Sequence, residues 1–283
     1  RTTMTRRDVL ANVRDEARIR EVLAQERPDI VFHAAALKHV ALVENNPAEG
    51  VLTNVQGTWN VIRAATEARA AQFVLISTDK AVDPSNVMGA TKRIAETLLE
   101  LVPDSPTRLS AVRFGNVLGS AGSVVPIFRD QIARGGPVTV THPDVNRYFM
   151  TIPEAVQLVL HSTAVKATRP DEGPSKFLLE MGEPVRIADL ARQMIELSGK
   201  TPDVDIRIEF TGLKKGEKIA EILSDDGEDP RSCVEGILEV MGRRSSGRLD
   251  TARLQTLVSA ALGGRGHEVT MLVAETIGDI RKP

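Results

Sequence analysis

Four short apolar runs punctuate the first 120 residues: 7–13 (RDVLANV), 29–36 (DIVFHAAA), 72–77 (QFVLIS) and 107–114 (TRLSAVRF). Stretches with helical spacing lie between them. In 15–26, Ile19, Val22 and Leu23 share a face and the acids come early, as a helix dipole prefers. A long helical pattern covers about 48–68. Another covers 88–102, with Ile94, Leu98 and Val102 in line and Pro103 just beyond. Strands alternating with helices of this length predict an α/β fold built from βαβ units around a parallel sheet. The crossovers are expected to be right-handed.

After Asn116 the texture changes. A Gly/Ser-rich loop (115–123) leads to an apolar segment, Val124–Ile132, and then to short strands separated by Gly and Pro. Helices are predicted over 153–165 and 186–198, the second closed by Gly199. The alternation from Asp205 to Phe210 predicts a half-exposed strand. The acidic stretch 225–235 reads as a mobile loop, and two helices follow from about Asp250. This divides the chain into a sheet domain (1–120 and 160–180) and a smaller lobe (121–159 and 181–283).

Composition narrows the function. The chain has 36 basic and 38 acidic residues among 283, which gives no global reason to expect nucleic acid. One Trp, one Tyr and seven Phe leave little for base stacking. The single cysteine, Cys233, cannot form an internal disulfide and fits a reducing, cytoplasmic setting. No apolar run approaches the roughly 18 to 20 residues a membrane span needs. The N-terminus lacks the apolar core of a signal peptide, and no metal site is expected.

The chemistry concentrates in 77–93, STDKAVDPSNVMGATKR. Ser77, Thr78, Asp79 and Lys80 directly follow the apolar run Phe73–Ile76, and the next helix opens with Met88 and Lys92 one turn apart. Reactive groups at the carboxyl end of a buried strand are the layout of an active site in an open α/β sheet. Upstream, Ala34, Ala35 and Ala36 are small enough for a flat ligand to approach the backbone. His33 reads as a packed core histidine. Lys38 and His39 stand at the mouth of the same crevice, although a solvated charge is the plain reading of Lys38. Asn54 and Gly57 interrupt the long helix, where glycine costs roughly 1 kcal/mol relative to alanine. Both suit a helix packed beside a cofactor, with Asn54 bracing the neighbouring strand end.

Short-chain dehydrogenases place a tyrosine four residues before a lysine on one helix face. Here the spacing survives as Met88 and Lys92, and a thioether cannot titrate. STDKAVDPSNVMGATKR resembles the signature of bacterial nucleotide-sugar 4,6-dehydratases of the polysaccharide-biosynthesis (CapD-like) group, in the extended short-chain dehydrogenase superfamily. The longer, membrane-anchored members of that group carry Met at this position. The resemblance continues in FHAAALKHV (32–40), NVQGTWNV (54–61), VRFGNVLGSAGSVVPIF (112–128), RYFMTIPEAVQLVL (147–160) and TGLKKGEKIAEIL (211–223).

The resemblance implies a Rossmann-type doubly wound parallel sheet with a smaller C-terminal substrate-binding lobe, and NAD as cofactor. It also implies a UDP-N-acetylhexosamine substrate, a homo-oligomer, and the cytoplasmic face of the membrane where the parent protein is anchored. In the implied reaction, hydride leaves carbon 4 of the sugar, a base takes the carbon 5 proton, an acid protonates the departing carbon 6 hydroxyl, and hydride returns to carbon 6. Carried over, Asp79 is the acid, Lys80 the base, Thr78 the holder of a substrate hydroxyl and Lys92 the cofactor anchor. Lys80 serves as base only where desolvation and Lys92 weaken its hold on its proton. Cofactor contacts fall on Asn12, Val13, Ala34, Ala35, Ala36, Lys38, Asn54, Lys92, Phe114, Asn116 and Val117. Substrate contacts fall on Lys38, His39, Thr78, Asn116, Ser123, Val124, Arg147, Glu217 and Lys218.

Three departures stand out. The glycine-rich first strand–helix unit that holds a pyrophosphate is absent from these residues, and its place is expected upstream of Arg1. Asn12 stands where the family usually has Asp, and Ala220 where an aromatic is common. Two other readings stay open: a 4-epimerase, which needs a tyrosine base, and a non-catalytic nucleotide-sugar-binding subunit.

Overall fold

The computed structural model describes residues 6–102, 105–168, 173–242 and 249–281. Its main sheet has six strands in the order Ile30–His33, Gln72–Ile76, Arg108–Arg113, Ser175–Leu179, Ile237–Gly242, Glu228–Val234. The first four run parallel and the last two form an antiparallel hairpin. Gln72–Ile76 and Arg108–Arg113 lie mid-sheet under helices on both faces, which is why they read as near-continuous apolar runs. On one face Val74, Val112 and Phe177 pack with Val159 of the helix Ile152–Thr168. On the other, Phe73, Leu75 and Ala111 pack with Ile62, Ile94 and Leu98 of the helices Thr58–Glu67 and Val87–Leu98. This is the doubly wound α/β arrangement.

The helix Val87–Leu98 is buried along nearly its whole length because a second helical layer covers it. Leu254, Leu257, Val269, Val273, Ile277 and Ile280, from Thr251–Leu262 and Gly266–Arg281, join its apolar cluster. A separate cluster forms the smaller lobe: Phe128, Val138, Val140, Ile187, Ala191, Ile195, Ile206 and Ile208.

Five expectations need correction. Residues 7–13 form no strand. A strand exists by virtue of its neighbour, and among the described residues none lies beside them. Instead Asn60 Nδ2 donates to the carbonyls of Val13 and Arg14 (3.0 and 3.2 Å), and Val13 fills the space a Cβ on Gly57 would take. The long helix breaks into Pro47–Gly50, a π-helical stretch Val51–Gly57, and Thr58–Glu67; such π-turns gather at functional sites. The strand expected from Asp205 is only Ile208–Phe210, because Asp203 and Asp205 accept backbone N–H groups of Ile208 and Thr201 and hold a turn.

The stretch expected as a mobile loop, 225–235, largely forms the strand Glu228–Val234. Glu228 is drawn in by Arg113, whose guanidinium is fully buried and needs counter-charge. The hairpin, assigned to the smaller lobe on sequence grounds, therefore belongs to the main sheet, and the two C-terminal helices, assigned likewise, lie over the helix Val87–Leu98. Among the described residues no helix is long and apolar enough to cross a membrane.

Candidate active site

Gln72–Ile76 delivers the chemistry. Beyond Ile76 the chain keeps the sheet's direction, with Ser77 N donating to Val112 O (2.8 Å) and Asp79 N to Phe114 O (3.1 Å). It then coils into a tight 3₁₀ turn, Asp79–Ala81, capped by Thr78 Oγ1, which accepts from Lys80 N at 3.4 Å. The helix Val87–Leu98 starts at Asn86, whose side chain caps Gly89 N at 2.8 Å. Gly89 is needed there because a Cβ would sit 2.2 Å from the Lys80 carbonyl oxygen. Turn and helix thus touch at their backbones, and Met88 and Lys92 face Thr78 and Lys80 across one crevice.

That crevice collects most of the residues singled out in sequence: Ala34, Ala36, Lys38, His39, Thr78, Lys80, Met88, Lys92, Phe114, Asn116, Val117 and Ser123. Ala35, on the alternate face of its run, lines a second cavity with Asn12, Val13, Asp15 and Arg18. The run Ala34–Ala36 therefore has a cavity on either side.

Asp79 does not reach the crevice wall. Its side chain is fully buried behind Thr78 and Lys80. Thr78 Oγ1 donates to Asp79 Oδ1 at 2.8 Å and Lys80 Nζ to the same oxygen at 3.0 Å. Oδ2 is buried without a partner, packed toward Gly115. A buried carboxyl oxygen in that state calls for a proton or an incoming donor. Lys80 Nζ also donates to Asn116 Oδ1 at 3.4 Å, so it bridges turn and opposite wall. Lys92 Nζ donates to Ile76 O at 2.6 Å. Burial lowers its pKa to about 8, against the pull of the Glu96 carboxylate one turn on. His33 packs in the core as expected: its Nε2 lies 2.9 Å from Thr58 Oγ1, and burial, aided by Lys92, pushes its pKa down to about 3 and keeps the ring neutral.

Several expected contacts lie elsewhere. Asn54 is outside the wall and acts as a brace, accepting from Leu37 N (2.7 Å) and donating to Leu37 O (3.0 Å) and Thr91 Oγ1 (3.0 Å). Val124 lies outside the crevice lining, next to Ser123, whose Oγ is buried without a partner. Arg147, Glu217 and Lys218 come together but not on the crevice. Arg147 donates to the carbonyls of Asn146, Lys218 and Ile219 and to Glu217 Oε1 (3.4 Å). Lys218 Nζ donates to the carbonyls of Val82 and Asp83 (3.3 and 2.5 Å), below the active-site turn. Gly122, which with Ser123 and Val124 was expected to offer backbone N–H groups to a phosphate, also lines the crevice, and so does Ser120, which the sequence reading missed. It missed Glu221 too, which is 8 % exposed and electrostatically close to Lys80 and Asp79. Its only sequence signal is an acid set among Ile219, Ile222 and Leu223.

A family profile described as "Polysaccharide biosynthesis protein" matches residues 1–239. The chain is 54% identical over 232 residues to the "Capsular polysaccharide biosynthesis protein CapD" of Staphylococcus aureus, covering 81% of this chain and 38% of that protein. It is 38% identical to a "UDP-glucose 4-epimerase" of Rickettsia canadensis (69% of this chain, 55% of that one). It is 34% identical to a "UDP-N-acetylglucosamine 4,6-dehydratase (inverting)" of Campylobacter jejuni (77% and 62%). Among solved structures, Pen from Bacillus thuringiensis superposes with a TM-score of 0.72 at 31% identity, over 91% of this chain and 82% of that one. The chain thus spans under two thirds of the length of these three sequence relatives. With the profile matched over most of its length and the strand-end cluster in place, the chain belongs to the polysaccharide biosynthesis protein family.

Proposed function

We propose that this chain is the core of a nucleotide-sugar 4,6-dehydratase that uses NAD and acts on a UDP-N-acetylhexosamine such as UDP-N-acetylglucosamine, in making a surface polysaccharide. The observation that carries this reading is the Thr78–Asp79–Lys80 turn facing a crevice whose helix offers Lys92 but Met88 in place of a titratable phenol. The residues present fit the cofactor on two counts. Small side chains at Ala34–Ala36 have a cavity on each side, and Ser123 Oγ is a buried polar atom without a partner. Asn12, Val13 and Ala35 would hold its adenosine end, and Lys92, Phe114 and Val117 its nicotinamide end. Bound there, NAD would supply the hydride chemistry, accepting from carbon 4 of the sugar and giving back at carbon 6.

The chain's own groups then do the proton work. Oxidation at carbon 4 acidifies the carbon 5 proton, and Lys80 Nζ, on the wall, takes it as general base. The hydroxyl on carbon 6 departs as water once protonated. Asp79 is the acid assigned to that proton: its Oδ1 accepts from Thr78 Oγ1 at 2.8 Å, which leaves Oδ2 as the oxygen able to carry it. Lys92, fixed on the Ile76 carbonyl, would anchor the cofactor ribose. We further propose that the lobe built on Phe128, Val138 and Ile195 carries the nucleotide side of the substrate.

The relative named as an epimerase keeps a second reading in view. Epimerisation at carbon 4 needs only hydride transfer and a proton relay at the carbon 4 oxygen. Incubating the full-length protein with NAD and UDP-N-acetylglucosamine separates the two. A product lighter by one water, with a 4-keto-6-deoxy sugar, is the expected outcome. An isomer of unchanged mass would overturn the dehydratase reading in favour of the epimerase.

A further inference from the structure

A short link, 82–86, joins the active-site turn to the helix that carries Met88 and Lys92, and one of its residues is held by every polar group it has. Asp83 N donates to Asp225 Oδ1 at 2.9 Å, its carbonyl accepts from Lys218 Nζ at 2.5 Å, and its carboxylate pairs with Arg281. These partners lie between 135 and 198 positions further along the chain. Asp225 is itself anchored: its Oδ2 lies 2.9 Å from Arg93 Nη2, with the side chain 10% exposed. Arg281 closes the helix Gly266–Arg281, outside the residues 1–239 that the family profile matches. The grip falls on an unfavourable backbone. Asp83 has φ +40°, in the left-handed region, and it precedes Pro84, whose ring crowds the residue before it. Such a conformation persists only where its surroundings over-determine it. Toward the turn the constraint is passed on. Ala81 and Val82 are fully buried, and their N–H groups donate to Thr78 O and Asp79 O at 3.2 and 2.9 Å. Lys80 is thus joined to Asp83 through two packed residues.

The geometry points to Asp83 as a positioning residue for the base: its clamped, left-handed backbone sets where the turn presents Lys80 to the crevice. That Lys80 is the base rests on the dehydratase reading; the placement of its side chain does not. Asp83 does not itself line the crevice, so its effect reaches the reaction through Lys80. The Lys80 Nζ bridge, 3.0 Å from Asp79 Oδ1 and 3.4 Å from Asn116 Oδ1, is what the clamp keeps in place. A reacting group misplaced by about 1 Å can cost about 10²-fold in rate.

The test compares full-length Asp83→Gly and Asp83→Val, each with NAD and UDP-N-acetylglucosamine. Both lose the carboxylate on Arg281. They differ in backbone, because glycine adopts positive φ freely and a β-branched residue resists it. Asp83→Gly should keep kcat within about threefold of wild type, and Asp83→Val should lose about tenfold or more in kcat with KM nearly unchanged. Equal kcat in the two variants overturns the proposal, and so does a loss that falls on KM instead. Should Asp83→Val fail to fold, Asp225→Ala frees the Asp83 N–H and should show the same kcat loss. Asp225→Asn, whose amide oxygen still accepts, should restore it. Wild-type kcat in Asp225→Ala overturns the proposal. If wild type dehydrates no UDP-sugar, the functional reading fails, and crystal structures of the same variants decide the placement. Lys80 Nζ should keep its contacts to Asp79 Oδ1 and Asn116 Oδ1 in Asp83→Gly and lose them in Asp83→Val or Asp225→Ala. A Lys80 that stays in place there overturns the proposal.

Discussion

Two clusters of buried charge sit one residue apart along the same strand end, and they are finished to different degrees. Ser77 leads into the first. Its Oγ donates to Glu96 Oε1 at 2.5 Å, and Glu96 takes three further bonds of 2.7 to 3.2 Å from Arg113. Arg113 also grips Glu228 at 2.7 and 3.0 Å, and Arg93 ties Glu228 to Asp225. Each charge there has an opposite partner, and the Arg113 guanidinium holds both Glu96 and Glu228 at about 2 despite their burial. Thr78 leads into the second cluster, where among the described residues Asp79 Oδ2 is buried without a partner and Lys92 Nζ donates to one carbonyl. Burial is common to both. What separates them is unsatisfied valence: the first cluster is closed on itself, and the second keeps buried acceptor oxygen open to an incoming donor.

The largest effect should come from the open side. Lys80→Ala should cut dehydration by about 10³-fold or more, with the melting temperature nearly unchanged; a comparable loss of stability would mean that Lys80 is a strut after all. On the closed side, Arg113→Met strands Glu96 and Glu228 and should cost about 3–5 kcal/mol in urea unfolding. A cost below about 1 kcal/mol would erase the distinction between the clusters.

Acid should also tell them apart. Glu96 and Glu228 have folded pKa values depressed from 4.5 to about 2. Their contribution is full above about pH 4.5 and is lost as pH falls toward 2. Wild type should therefore lose stability across that window, and Glu228→Gln should lose less, as followed by circular dichroism. The smallest effect is expected at Met88. Met88→Ala should keep activity within about tenfold of wild type, because the thioether packs without titrating. Loss as complete as in Lys80→Ala would contradict the division of labour.

The strand–helix alternation and the 77–93 cluster were legible because both are local: an apolar run, a polar turn and a helix cap follow one another within 20 or so residues. Apart from the local turn at Asp203 and Asp205, several misreadings are cases of distant partners. Residues 7–13 have the composition of a strand and, among the described residues, no strand to pair with. Glu228 looks like loop acid until Arg113, 115 positions away, is seen to bury it. Arg147 and Lys218 are charges free to bind phosphate on paper, and in the fold they hold backbone carbonyls. Glu221 was passed over because its burial is produced by that same clamp.

Among the described residues the strand Ile30–His33 pairs with Gln72–Ile76, and it runs on through His33 into Ala34–Ala36, between the two cavities. A ligand spanning both cavities would act on that strand end as a splint, so occupancy and the order of the strand end should rise and fall together.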